Sequence, residues 1–517
     1  MPGPTVTRSC GVRKVHKYTH LSHIAGETEF VVFNNNLKNC LNAVYERIFY
    51  VRSSTGELVS PPQPTRNVFG ELSKFSRAFA KHVVRTAPLP WDKFPGLYVG
   101  RKHQVYKRAL LNLLSKTWSL VKLSKVKTFV KIEKLKQKLL LVPRVIQPRT
   151  PEFNLLLGCY IKPIEHRIYS IIDLLFRERV GAIRTTWERS ILKGLNAIQQ
   201  AKHIRVKWDR HSDCVFIGMD AKRFDQHVSK ILLAWEHSIY ALFYVGSALR
   251  KLKQLLSYQL VNRGKAYYPE GTISYTVEGK RMSGDMNTGL GNCLIMCAML
   301  YTYFNSLGID YDVINNGDDC GVFMSRSSYL EKFNVDHLKD WFLSMGFTME
   351  VEPPVFEFEG IEFCQTQPVR AATGYTMVRN PRTSFTKDCM SVEVLRNMKA
   401  WKQHWDSVAM NGMSLNDGIP VMQAYYQCLK RSASVYVKGY NPSKKYVNYD
   451  MKNSGLGRLS EGLTFRDTKI DDEARVSFWR AFGITPSHQV VIEEYLNKLT
   501  IVGKEIPSFD SILRFRF

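Results

Sequence analysis

The sequence is short of negative charge. Its 73 lysines and arginines face 46 aspartates and glutamates, a formal net charge of +27 over 517 residues. From Arg101 to Arg144 the shortage is almost complete, with Glu133 the only acid among Lys or Arg every few residues. Such a balance implies a polyanionic partner, either nucleic acid or an anionic membrane surface. Leucines and valines interleave with that stretch at helical spacing, which predicts basic faces on packed helices.

Other absences narrow the class further. The ten cysteines contain no CxxC pair and no regular framework, so the chain reads as reduced and cytosolic. Cys293 and Cys297, one helical turn apart in an apolar run, suit core packing. His16, His20 and His23 with Cys10 lack the ligand pairing of a zinc site. Met1–Cys10 has no apolar segment of a secretory signal. The longest nearly unbroken apolar run, Cys293–Phe304, is far below the roughly 20 residues that span a bilayer. There is no internal repeat and no long low-complexity linker. A disordered basic arm of the kind a capsid protein carries is also lacking. What remains is a globular chain, 44% apolar and 12% aromatic, long enough for two or three subdomains.

Its most informative stretch is Asn315-Asn316-Gly317-Asp318-Asp319. The flanking segments Tyr311–Ile314 and Cys320–Phe323 are rich in β-branched and aromatic residues, predicting a β-hairpin with both aspartates at its tip. Gly317 suits a positive φ or a crowded backbone. Adjacent carboxylates repel unless a hard divalent cation neutralises them. Alone, Gly-Asp-Asp is most often a solvated turn. Its company decides the matter. Cys214–Met219 reads as a buried strand with Asp220 at its carboxyl end, and a helical pattern follows from about Val228. If the two strands are neighbours, Asp220, Asp318 and Asp319 come from two elements, as in-line phosphoryl transfer by two metals requires. Asp225, five residues on and past the turn, is expected to point elsewhere. Lys222 and Arg223 read as surface charge.

Between these elements lies Ser283-Gly284-Asp285-Met286-Asn287-Thr288-Gly289-Leu290-Gly291-Asn292. Ser283 and Gly284 form a loop before a helix predicted over 287–304, where Thr288 and Asn292 share one face. Such a polar stripe can hydrogen-bond sugar hydroxyls, and Asn292 with Asp225 could read a 2′-hydroxyl. Helix capping by Ser283 and internal packing of Asn292 are the simpler alternative. Strands are expected within 267–282, a helix near 334–345, and a short strand pair near 355–364. The tail from 380 is helical in pattern, with a polar loop at 438–457. The element order predicts an α+β domain with an antiparallel sheet.

In their order and spacing, Asp-x4-Asp, Ser-Gly-x3-Thr-x3-Asn and Gly-Asp-Asp resemble motifs A, B and C of viral RNA-dependent RNA polymerases. The closer similarity is to the Tombusviridae and their umbravirus-like relatives, positive-strand RNA plant viruses. Further stretches resemble that family: Tyr98-Val99-Gly100-Arg101-Lys102 with Tyr106 and Ala109; Val142-Pro143-Arg144-Val145-Ile146-Gln147-Pro148-Arg149 leading to Ile161-Lys162-Pro163-Ile164-Glu165; Phe224-Asp225-Gln226-His227; and Ile361-Glu362-Phe363-Cys364-Gln365. The likeness runs from about residue 28 to beyond 400.

The resemblance implies a closed right hand. Residues 1–210 would form an N-terminal extension and fingers, 211–236 and 279–375 the palm, 237–278 a fingers insertion, and 376–517 a mostly helical thumb. Asp220 and Asp318 would be the principal ligands of Mg²⁺, or of Mn²⁺ in its place, with Asp319 assisting. Asp225, Ser283 and Asn292 would select the ribose with Thr288 in support, and Gly284 would belong to the same substrate-binding set. Arg144 and Arg149 would hold the triphosphate through guanidinium forks. Glu362–Gln365 would lie at a primer grip. Where the family often shows a basic residue as general acid, this chain has Glu350, leaving Lys339 or water as the substitute. Trp401, Trp405 and the aromatic tail Phe509–Phe517 read as packing. A reverse transcriptase and a non-enzymatic basic RNA-binding protein are the rival readings. The former fits poorly with residues that invite a 2′-hydroxyl, the latter with carboxylates on strand ends. The implied partners are viral RNA template and nascent strand, nucleoside triphosphates, host factors and an upstream viral replication protein that supplies membrane anchorage. The implied setting is host cytoplasm at membrane-associated replication complexes.

Overall fold

The computed structural model describes residues 3–22, 29–137, 141–178, 187–392, 395, 397–435 and 456–507. His23, most of the 438–457 loop and Phe509–Phe517 lie outside the described residues.

A four-stranded antiparallel sheet positions the site. Its order is Asp312–Asn315, Asp319–Ser325, Cys214–Ala221, Met349–Val351. The central strand is buried along nearly its whole length, which explains its continuous apolar sequence. Two long helices pack with it in the largest core cluster: Pro151–Glu178 and Thr288–Ser306. The second of these is apolar on almost every side because it is enclosed on almost every side. Cys293 and Cys297 sit within it, both fully buried, as core packing requires. The hairpin around residues 311–325 and the helices expected near 287–304 and 334–345 are all present, the last as Val335–Ser344.

A second sheet joins Thr5–Arg8, Gly271–Glu278, Val261–Tyr268 and Val126–Lys127. A third places Lys17–Ser22 between Met390–Ser391 and Val502–Pro507, so that segments near the two ends of the chain pair directly. The described residues between 381 and 498 contribute mainly helices to a separate apolar cluster that includes the fully buried Trp405. No helix among the described residues is long and apolar enough to cross a membrane. His16 bonds through its ring to the Val392 carbonyl at 2.8 Å.

Two expectations need correction. Among its described residues the basic stretch 101–144 is helical only at Gly100–Ser115 and Leu120–Leu123; beyond them it forms the short strands Val126–Lys127, Phe129–Val130 and Lys134–Lys136. Val126, Phe129 and Val130 favour extended backbone, and tertiary pairing decides the outcome. The strand pair expected near 355–364 is instead the hairpin Thr366–Ala371 and Gly374–Arg379. Pro353 and Pro354 interrupt the earlier segment, and Cys364 and Gln365 turn the chain with φ of +52° and +63°.

Burial also sets a pH response. His203 packs beside Trp187 and accepts from the Arg189 amide; burial pushes its pKa from 6.5 to about 4. A depressed pKa in the folded state supplies stability that is present above about 6.5 and lost as pH falls towards 4. Thermal unfolding followed across that interval should show the midpoint falling with pH, and falling less steeply in His203→Gln. An identical slope in the variant would contradict the assignment.

Candidate active site

Main-chain bonding builds the carboxylate turn. Asn315 is fully buried, and its side-chain amide both accepts from the Gly317 amide at 3.0 Å and donates to the Gly317 carbonyl at 2.8 Å. Gly317 has φ of +106°, which a side chain would strain. The Asn316 amide closes the turn on the Asp319 carbonyl at 2.9 Å. Cross-strand register then places Asp220 directly opposite Asp319, hence on the same face, and places Glu350 opposite Asp220 on its other side. Asp318 projects from the turn itself.

This arrangement is electrostatically unfavourable by itself. Burial, then Asp319 and Asp318, push the Asp220 carboxyl up to about 7. Asp319 is exposed as a residue, but its carboxyl faces Cys364 Sγ at 3.5 Å; burial of that side and Asp318 raise it as well. Oxygen-only donors that repel one another match a hard divalent cation, whose charge would relieve the repulsion. Among the described residues no three His, Cys, Asp or Glu side chains already converge as a finished metal cage. The fit therefore rests on the donor chemistry of Asp220, Asp318 and Asp319.

A cavity of about 430 Å³ opens beside the carboxylates. Asp220, Asp225 and Asp318 line it together with Arg47, Lys131, Lys136, Arg144 and Arg223. Glu133, the lone acid of the basic stretch, pairs with both Lys131 at 2.7 Å and Arg144 at 3.5 Å and so holds that part of the wall. Arg223 adopts a left-handed backbone, φ +51°, and its guanidinium bonds to the Glu46 carbonyl. It is a fixed wall residue, not the surface charge its sequence suggests. Arg47 is pushed down to about 9 by burial and then by Arg223 and Arg144, the mark of a crowded positive field.

The structure brings several of the expected residues together. Asn292 Nδ2 donates to Asp225 Oδ1 at 3.0 Å, so Asp225 turns towards the same cavity instead of away from it. Ser283 lines the cavity and donates to the Val145 carbonyl at 3.2 Å. It does not cap the helix, whose flanking residue is Asn287. Gly284 runs against Pro148, and any Cβ there would come within 2.5 Å of the proline backbone. Thr288 latches the loop before its own helix by donating to the Met282 and Asp285 carbonyls at 2.9 and 3.1 Å.

Arg149 and Lys339 are placed differently. Arg149 is buried and forms an ion pair with Asp285 at 2.6 Å while also bonding to Asn262 and the Ser124 carbonyl. Its donors are consumed by these partners, so it braces the loop carrying Ser283 and Gly284 and does not line the cavity. Lys339 is exposed on the Val335–Ser344 helix and is not a lining residue. Glu350 pairs instead with Lys222 at 3.3 Å. Sequence reasoning missed Arg47, Lys131 and Lys136, and placed Cys364 in a primer grip without its contact to Asp319. Only the basic bias of 101–144 points to the two lysines.

A family model described as viral RNA dependent RNA polymerase matches residues 5–503. The chain is 37% identical over 501 residues to the RNA-directed RNA polymerase of turnip crinkle virus, covering 96% of this chain and 61% of that protein. It is 37% identical to that of oat chlorotic stunt virus, covering 95% and 65%, and 39% identical to that of maize chlorotic mottle virus, covering 94% and 49%. The chain thus spans about half to two thirds of the length of these relatives. A match that runs through nearly the whole chain, the carboxylate turn included, is decisive for kinship: the chain belongs to the viral RNA-dependent RNA polymerase family.

Proposed function

We propose that this chain extends an RNA strand on an RNA template, consuming nucleoside triphosphates and releasing pyrophosphate. One observation carries the reading. Crowded carboxylates and crowded guanidinium groups face one cavity, so each side is relieved by a ligand of opposite charge. A nucleoside triphosphate with divalent cations is such a ligand at both ends at once. The Asp225–Asn292 pair supports a ribose between them, because a carboxylate can accept from a 2′-hydroxyl.

In this reading Asp220, Asp318 and Asp319 hold Mg²⁺, or Mn²⁺ in its place. Bound there, the cations would favour the 3′-alkoxide and neutralise charge on the leaving pyrophosphate. Arg144, Arg47, Lys131 and Lys136 bind the triphosphate oxygens and set the α-phosphorus in line with the 3′-hydroxyl. The 3′-hydroxyl gives up its proton to water, and the new bond forms between its oxygen and the α-phosphorus as the bond from that phosphorus to the α–β bridging oxygen breaks. Ser283, on a loop braced by Arg149, Gly284 and Thr288, fixes the ribose side. With Lys339 outside the cavity, water protonates the pyrophosphate. The sheet bearing the aspartates corresponds to the palm, residues 1–210 and 237–278 to extension and fingers, and 376–517 to a thumb. Partners would be viral RNA, an upstream viral replication protein that supplies membrane anchorage at cytoplasmic replication complexes, and host factors.

Asp318→Asn should lower nucleotide incorporation by about 100-fold or more while RNA binding stays near wild type. Undiminished synthesis would sink the assignment. The two arginines expected to act alike should separate. Arg144→Ala should raise KM for the triphosphate about tenfold without changing the melting temperature. Arg149→Met, which strands Asp285 in the interior, should cost about 3 kcal/mol or more of stability. Steady-state kinetics and thermal melts on the two variants decide it, and a KM effect confined to Arg149 would reverse the roles.

A further inference from the structure

Asn292 is held at both ends of its amide. Nδ2 donates to Asp225, and Oδ1 accepts from Arg281 Nε at 3.0 Å. A side-chain amide can rotate half a turn and exchange its oxygen for its nitrogen. Arg281 forbids this, because its Nε–H can only donate and therefore demands the oxygen.

Arg281 is itself immobilised. It is wholly buried and forms a two-pronged ion pair with the equally buried Glu236, with Nη1 donating to Oε1 at 3.2 Å and Nη2 to Oε2. Glu236 Oε1 also accepts from the Tyr240 hydroxyl at 2.7 Å and from Asn287 at 2.8 Å. The Arg281 amide donates to the Asp225 carbonyl at 2.8 Å, which ties the two segments at the backbone too. Gly291 keeps the passage open, since a Cβ there would meet Glu236 Oε1 at 2.5 Å. A buried ion pair replaced by apolar groups is often no less stable, so stability alone does not account for this one.

We propose that Arg281, clamped by Glu236, is a positioning residue for ribose selection. By fixing the Asn292 amide it commits Asp225 Oδ1, and leaves Asp225 Oδ2, which has no protein partner among the described residues, for a 2′-hydroxyl. This inference rests on the polymerase reading above. Its ligand is the ribose hydroxyl of a nucleoside triphosphate.

The discriminating variant is Arg281→Lys. A lysine can still neutralise Glu236 but has no fork to reach Asn292 at the same time. The readout is the ratio of kcat/KM for a ribonucleoside triphosphate to that for its 2′-deoxy analogue, measured on an RNA template. The ratio should fall about tenfold, chiefly through the ribonucleotide, and combining R281K with Asn292→Ala should lower it no further than Asn292→Ala alone. If R281K does not fold, Glu236→Leu with Arg281→Met removes both charges together and carries the same expectation. An unchanged ratio, or equal losses on both substrates, would overturn the proposal, as would unfolding of both variants. A wild-type protein that makes no RNA would instead overturn the underlying reading, so the two failures are distinguishable.

Discussion

The pairing of Cys214–Ala221 with Asp319–Ser325 governs the rest of the structure. Its register sets Asp220 against Asp319, and a slip of one residue would send one of them to the opposite face. Two glycines of this pair lie under neighbouring side chains. Gly321 lies where the Phe216 ring passes, and Gly218 lies beneath the Glu352 carboxylate. Buried apolar side chains on both faces of the central strand make the alternatives costly. The sheet thus spends packing energy to hold like charges together, a common feature of sites that await a counter-ion.

The cavity extends the same logic in the opposite sign. Arg47, Arg144 and Arg223 come from three distant parts of the chain, and each is anchored by a local partner: the Val142 carbonyl for Arg47, Glu133 for Arg144, Glu46 for Arg223. Anchoring fixes their direction before any ligand arrives, so less entropy is lost on binding. The Ser283–Gly284 loop, braced by Arg149–Asp285 and by contact with Pro148, joins this basic wall to the helix bearing Asn292. The carboxylates, the basic wall and the Asp225–Asn292 pair therefore form one connected frame.

Much of this was legible in the sequence because it rests on local pattern. The Asp318 hairpin, the Asp220 strand and the Thr288–Ser306 helix carry their own periodicity and turn chemistry. Arg149 was misread because a guanidinium in a basic run looks the same whether free or paired, and its partner Asp285 lies 136 residues away. Arg47 carries no sequence signal and Arg223 reads as surface charge for the same reason: their neighbours are tertiary. The segment 355–364 alternates like a strand, yet Pro353 and Pro354 just before it and the left-handed Cys364 and Gln365 at its end move the hairpin downstream. Glu236, the single acid of the helix Lys230–Ala241, gives no hint in the sequence of the buried arginine it holds.

The central claim is that one ligand relieves both crowded fields, which makes cation and triphosphate binding mutually dependent. Calorimetric titration of the protein with a nucleoside triphosphate, with and without Mg²⁺, measures that coupling directly. The account predicts tighter triphosphate binding with Mg²⁺ present and, by linkage, tighter Mg²⁺ binding with triphosphate present, both lost when Asp220 is replaced by Asn. Triphosphate affinity indifferent to Mg²⁺, or a coupling that survives in D220N, would contradict it.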